Sequence, residues 1–575
     1  MSKLLKYCFG LAVGVCLLMP HALMAEEGIK GNLVDVHWLQ QNLKNPDVVI
    51  LDASPAEAYV ANHIPGAVNV SIYDLFAYGF GGISPAETER VFQSLGISVG
   101  KKIVMYDGGG TNLATRLFFD LDYHGFPAKN LFVLDGGMFK WQKEGLPVTK
   151  EATPAPAKGS FKIGKLNEDV RVGLPEVLTG SGDQKNYALV EALDANWHYG
   201  RIAPFNRAGH IPYSALAPGE DFYKEDKTFK SPDEISRMLK YLGVTPEQQI
   251  YTYCGGGVAA SVPFFAAKFI LNYPHVKLYP ESELGWLSDS RELPMWTFDA
   301  PFLMRETGWL QFWSSRLIRT FLAPPISVVD LRPADAFNQG HVPFSLNIAG
   351  DVFTSNVGNP RKLAEILGPA GINSSNEAVV VSGAGLTKDS ALAYVMLERL
   401  GQKKVSIFMD SMEKWTKLGY TLSKDATIVG VAKAPHDGSI PPSTYPENFR
   451  KDVMANAAMG SESVYPKVFI ASGKDMPAKS PAGKVVHVAY SDLLNADGTP
   501  KSAKDIWTIL SKAGVPRYAE LVCFSDDPGE ASANYFILKL MGFPDVRVLI
   551  GDELAKLCLH EPATDGRAEV IVALN

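Results

Sequence analysis

Cysteine is scarce in this chain, with five in 575 residues. Cys8 and Cys16 fall in an N-terminal apolar stretch, which leaves Cys254, Cys523 and Cys558 for the body of the protein. Three thiols make no disulfide scaffold, and an odd number leaves at least one unpaired. There is no Cys-x-x-Cys pair and no close His/Cys cluster in the sequence, so the pattern of a structural zinc site is missing. Positive charge is not in excess either. Lys and Arg number 55 against 62 Asp and Glu, a net charge of −7, without the basic footprint that nucleic-acid binding leaves. Beyond residue 25 no run is long and apolar enough to span a bilayer.

What is present is ordinary globular material. At roughly 100–200 residues per domain, the length predicts three to five domains. The content of 46% hydrophobic and 20% charged residues can fill several cores. The first 25 residues read as a secretory signal peptide. Lys3 and Lys6 are followed by an apolar stretch from about Phe9 to Met19, then Pro20, and a small residue, Ala25, before Glu26 and Glu27. Cleavage after Ala25 and export, for instance to a periplasm, are the expectation, with an uncleaved anchor as the alternative. A lipoprotein signal would need a small residue before Cys16, where Val15 stands.

A domain-length repeat runs along the chain. "NHIPGAVNV", "GHIPYSA" and "GHVPFSLNI" place His63, His210 and His341 in the same local pattern. Each histidine follows an apolar run ending in aspartate: "VVILD" to Asp52, "YALVEALD" to Asp194, "ISVVD" to Asp330. About 40 residues later comes another apolar run, "KKIVMYD", "QQIYTYC" or "EAVVVSG". A small-residue loop and a helical stretch follow, then a last strand leading to Trp141, Trp286 or Trp415. Short β-branched runs alternating with helical patterns predict an α/β fold. Each repeat should be a central, mostly parallel sheet with helices on both faces. A fourth, degenerate copy spans Glu520 to Ile550. The domains are therefore read as 29–150, 165–298, 303–425 and 440–575, joined by Pro/Ala/Lys-rich linkers such as "EATPAPAKGS".

The order "LDAS…EAY…NHIPGA…YD-loop…LDGG…W" resembles the rhodanese, or sulfurtransferase, family over nearly the whole mature chain. Within that family the first two domains are similar to the tandem thiosulfate and mercaptopyruvate enzymes, whose second domain alone carries the cysteine. Here Asp107 takes the loop position in the first domain and Cys254 in the second. Ser382 and Ser525 take it in the third and fourth, so only the second domain is expected to be catalytic. Cys523, two residues before Ser525 inside "ELVCF", reads as core.

The segment "CGGGVAAS" lies between a strand and a helix. A helix N-terminus and inward-pointing loop amides form an anion cradle, which should favour a Cys254 thiolate. Gly255, Gly256 and Gly257 let the backbone close around the sulfur, with Val258 and Ala259 completing the substrate loop. The resemblance implies a double displacement through a Cys254 persulfide, with no metal and no organic cofactor. A phosphatase of this fold would need arginine six residues after the cysteine, where Ala260 stands.

The donor stays open. Thiosulfate enzymes of the family often carry basic residues in this loop, and this loop has none. Mercaptopyruvate enzymes carry hydroxyl residues where Gly256 and Ala259 stand. They also use an aspartate–histidine pair, of which Asp74 could supply only the first. Arg207 and Arg201 lie where the family draws substrate-binding arginines, suited to a sulfonate or carboxylate. His63, His210 and His341 read as fold-defining turns, and the three tryptophans as packing residues. Asp107 is open to two readings, capping its own loop or contacting the second domain. Three functions remain in play: sulfur transfer from thiosulfate or a related donor to a thiophilic acceptor, transfer from mercaptopyruvate, and non-catalytic sulfur carriage or partner binding. The expected partners are a small-molecule donor and acceptor and a protein redox or sulfur-acceptor partner. No nucleic acid and no membrane span after signal cleavage are expected.

Overall fold

The short β-branched runs become strands, and the segments between them become crossovers. The computed structural model describes residues 28–75, 82–321, 325–430, 439–455, 464–477 and 480–559. The leader read over residues 1–25 lies outside the described residues, as does the side chain of Cys558. The chain divides into two units. One holds the residues up to His198 together with Ile202–Met295, and the other holds Tyr199–Arg201 and the residues from Trp296 onward.

The first unit contains two parallel sheets flanked by helices. In one, the strands run in the order Leu33–Val34, Leu131–Leu134, Lys102–Tyr106, Val48–Asp52 and Val68–Asn69, with a short antiparallel Ile29–Lys30 at the edge. In the other the order is Val276–Leu278, Gln249–Tyr253, Tyr187–Glu191 and Ser214–Leu216. The second unit repeats this arrangement once, with one sheet of five strands and one of four. Its strands Glu377–Val381 and Glu520–Phe524 occupy the places of Lys102–Tyr106 and Gln249–Tyr253. The fold is α/β throughout. The fourth copy, degenerate in sequence, keeps the strand order of the second. Among the described residues no helix is long and apolar enough to cross a membrane.

Three of the four sheets pack a tryptophan that follows their last strand. Trp141, Trp286 and Trp415 are buried, and their indole N–H groups donate to the carbonyls of Pro147, Pro294 and Thr421. The recurring histidines are structural. Each Nδ1–H donates to a backbone carbonyl of the preceding helix, that of Tyr59, His198 or Phe337, and each ring stacks on the aromatic ring of that same residue. One alignment is corrected here. The apolar run "YALVEALD" ends as a strand at Glu191, not at Asp194. Glu191 pairs in register with Tyr253 as Asp52 pairs with Tyr106. Asp194 instead accepts the Asn196 N–H and starts the next helix, because its short side chain suits a cap.

Aromatic rings join the two sheets of the first unit. Phe118 packs edge-on against Phe265 and Phe269, and Phe119 against Phe264. Beside them lies Asp122, which accepts a hydrogen bond from Asn167. Burial pushes its carboxyl up to about 6 from an ordinary 3.8. The folded state therefore holds a proton that the unfolded state has released, and stability falls as pH rises between those values. Asp122→Asn keeps the acceptor and removes the charge. The variant should gain about 1–3 kcal/mol at pH 7.5 and nothing below pH ~4, which thermal unfolding at the two pH values measures.

Candidate active site

Cys254 sits at the carboxyl end of the strand Gln249–Tyr253, where ligands of open α/β sheets bind. It begins a loop that runs to Ala260 before the helix Ser261–Phe265. That helix is shorter than the apolar stretch predicts. It continues as a single wide turn over Ala266–Ile270, closed by the Leu271 N–H on the Ala266 carbonyl at 3.0 Å.

The loop turns its carbonyls outward and an amide inward. The Cys254 carbonyl accepts the Glu283 N–H at 3.0 Å, and the Gly255 carbonyl accepts the Leu284 N–H at 3.1 Å. Arg116 Nη1 donates to the Gly257 carbonyl at 2.9 Å, and Ser261 Oγ to that of Val258 at 2.7 Å. With these carbonyls occupied, the Gly257 N–H faces Sγ of Cys254 at 3.1 Å. Glycine is required at 257: φ is +80°, and a Cβ would stand 2.3 Å from the Pro280 carbonyl oxygen. Ser282 Oγ accepts the Cys254 N–H at 3.0 Å and donates to the Tyr279 carbonyl. Gly255 packs under the Phe205 ring, Gly256 and Val258 are half-buried, and Cys254 is 3% exposed.

The sister loops show what the same frame does without a thiol. Asp107 folds its carboxylate into its own cradle and accepts the N–H groups of Gly109, Leu113 and Ala114 at 2.9, 3.1 and 3.0 Å. Asp107 thus caps its own loop, and the loop shape directs three N–H groups at one side chain. Ser382 donates to the Gly385 carbonyl. Ser525 donates to Glu530, and its loop is only 525–527, too short for a cradle.

Of the arginines, Arg207 donates to the carbonyls of Leu293 at 2.6 Å and Glu292 at 3.3 Å, and Arg201 is exposed. Asp74 is exposed in the turn Ile72–Leu75. Ala259 lines a cleft of about 270 Å³ beside the loop, together with Thr111, Asn112, Trp197, Glu220 and Tyr223. Its charged groups, Asp194 and Glu220, are acidic.

Sequence reasoning missed two features. One is Ser282 and Arg116, which hold the loop from outside it. The signal for Ser282 was its place one turn before the tryptophan, shared with Ser411 but not with the first domain, where Gly137 stands. The other is a buried group behind the loop. His198 Nδ1 bonds the Glu191 carboxylate, His198 stacks on His210 at 3.6 Å and 3°, and Glu283 lies against them. Burial, and then Glu191, push the Glu283 carboxyl above its usual range, while His198 opposes the rise. Glu191, His198 and His210 place ligand atoms within 4.8 Å of one another. Lone pairs in two parallel stacked rings do not converge on one ion at about 2.1 Å, so both rings cannot ligate the same ion in this arrangement.

The comparisons with known proteins agree with this frame. The model of the rhodanese-like domain matches residues 35–144 and 316–418. A sulfur carrier protein of Thermus thermophilus, TtuD, is 30% identical over 274 residues, 44% of this chain and 93% of that one. A Synechococcus elongatus protein named for thiosulfate sulfurtransferase is 30% identical over 264 residues, 43% of this chain and 79% of that one. A Pseudomonas aeruginosa protein named for 3-mercaptopyruvate sulfurtransferase is 29% identical over 278 residues, 45% of this chain and 96% of that one.

Proposed function

Because this chain belongs to the rhodanese family, we propose that it is an exported sulfurtransferase that passes sulfane sulfur through a persulfide on Cys254. The observation that carries the reading is the Gly257 N–H aimed at Sγ, in a loop whose carbonyls are held outward. The Sγ thiolate forms a bond to the outer sulfur of thiosulfate. The bond from that sulfur to the sulfonate sulfur breaks, and sulfite leaves with the electron pair. An acceptor such as cyanide or a thiolate then attacks the terminal sulfur and returns Cys254 as thiolate. Loop amides stabilise the negative charge at both stages. The arginine at 116 and the serines at 261 and 282 keep those amides oriented. The leader over residues 1–25 supports export.

A second reading is sulfur carriage to or from a protein. The acidic Asp194 and Glu220 in the cleft beside the loop repel a free dianion, and one relative bears a sulfur carrier name. Transfer to cyanide should be measured with thiosulfate and with mercaptopyruvate side by side, and intact mass read after each donor. Turnover with thiosulfate supports the first reading, and a preference for mercaptopyruvate reassigns the donor. A Cys254 persulfide without turnover supports the carrier, and no persulfide from either donor overturns the proposal.

A further inference from the structure

The Arg116–Asp120 pair is buried in the helix Leu113–Tyr123 of the first sheet's domain, with side chains only 4% and 7% exposed. A buried ion pair is poor at stabilising a fold, and apolar residues of similar volume often serve better there. The second unit contains that apolar solution. Its corresponding helix, Lys388–Arg399, starts after the cap Thr387 as the first starts after Asn112. Counted from those caps, Ala391 stands in the place of Arg116 and Val395 in the place of Asp120, both buried. In that unit the facing loop carries Ser525 and is too short to form a cradle. The charged pair thus accompanies the cysteine, not the packing.

The geometry assigns Arg116 as a positioning residue for Cys254, supplied by the domain that has no nucleophile. This inference rests on the sulfur-transfer reading above. A loop can aim N–H groups at an anion only if its carbonyls point away, and a buried carbonyl needs a donor. The carbonyls of Cys254, Gly255 and Val258 find donors in their own domain, at Glu283, Leu284 and Ser261. The Gly257 carbonyl finds its donor in Arg116, at 2.9 Å. Asp120 Oδ1 and Oδ2 hold the guanidinium by its Nε, leaving Nη1 to reach the loop. The carbonyl and the N–H of Gly257 flank one α-carbon, so pinning the first constrains the second. Deprived of its donor, the carbonyl is free to rotate inward, where it would meet the sulfur as a second negative pole. Thr115 Oγ1 at 2.8 Å from Ser261 Oγ makes the same link one residue earlier on the same helix.

The test uses the full chain. Arg116→Met combined with Asp120→Leu removes both charges together, so no buried charge is stranded, and its unfolding temperature should equal or exceed that of the wild type. In this folded variant kcat for sulfur transfer from thiosulfate should fall about 10²-fold, as on loss of one anion-stabilising amide, with KM little changed. Arg116→Lys, which can still reach the carbonyl, should recover part of the loss. Alkylation of Cys254 by iodoacetamide at pH 7, followed on the Cys254 peptide, needs no sulfur donor and should slow about tenfold in the double variant. A folded double variant with wild-type kcat and wild-type alkylation overturns the assignment of Arg116. If the wild type forms no persulfide with any donor, the proposed function fails, and the alkylation rates alone decide this inference.

Discussion

Cys254→Ser should abolish sulfur transfer and the mass increment of one sulfur atom, while Cys523→Ala should leave both at the wild-type level. The two thiols are both buried, so burial does not separate them; surroundings do. Cys254 ends its strand and meets the Gly257 amide at 3.1 Å. Cys523 lies inside the strand Glu520–Phe524, paired with Ile470 on one side and Val548 on the other, and is 0% exposed. Desolvation alone acts on it and pushes its thiol far up, out of reach of ionisation at any working pH. A serine at 254 keeps the shape of the loop but offers a hydroxyl that neither ionises nor holds a sulfane sulfur. The expected loss is on the order of 10⁴ or more, the scale of removing a covalent nucleophile. Transfer assays with thiosulfate, and intact mass after donor treatment, read the outcome. Activity that survives in Cys254→Ser, or disappears in Cys523→Ala, would remove Cys254 from the mechanism.

Much of this was legible in the sequence because it is periodic. Strand, small-residue loop, helix and tryptophan recur at domain spacing, and that recurrence gives the α/β sheets and isolates the one loop with a thiol. Local chemistry is legible in part: the sequence leaves Asp107 open to two readings, and only its bonds to the N–H groups of Gly109, Leu113 and Ala114 show it capping its own loop. What escaped is what depends on contacts across the fold. Arg116 reads as one more charged residue on an amphipathic helix until its helix is laid against the helix Ser261–Phe265. The strand end at Glu191 was misplaced by three residues because an aspartate was expected there and Asp194 offered one. The true strand end holds a glutamate because its partners differ. His198 takes the place of Tyr59 and Phe337, and Glu283 the place of Met138 and Met412, each three residues before its tryptophan. These changes come as a set, and pattern matching scores them one at a time.

The set predicts its own interdependence. His198→Tyr alone should destabilise the protein by about 3–5 kcal/mol, because the Glu191 carboxylate stays buried without the imidazole that bonds it. The triple change Glu191→Asp, His198→Tyr and Glu283→Met reproduces the residues of the first domain. Tyr253 stands where Tyr106 bonds Asp52, but its hydroxyl now donates to Ser214 Oγ at 2.7 Å and must turn from it to reach the new aspartate, so part of the lost stability should return. Such recovery is a coupling energy, expected of residues in one network and not of independent sites. The pH dependence has a definite sign. Burial raises the Glu283 carboxyl above its ordinary 4.5, Glu191 adds to the rise, and His198 opposes it. The folded protein therefore holds a proton that the unfolded chain has lost, so this group's contribution is full below pH ~4.5 and drains away as pH rises through the range above it. In the triple variant that slope disappears. Unfolding midpoints of wild type, single and triple variants at pH 5, 7 and 9 measure both effects. Additive losses in the triple variant, or a wild type whose stability climbs with pH through this window without the group's contribution being visible as a difference from the triple, would show that Glu191, His198 and Glu283 do not act as one proton-holding unit behind Cys254.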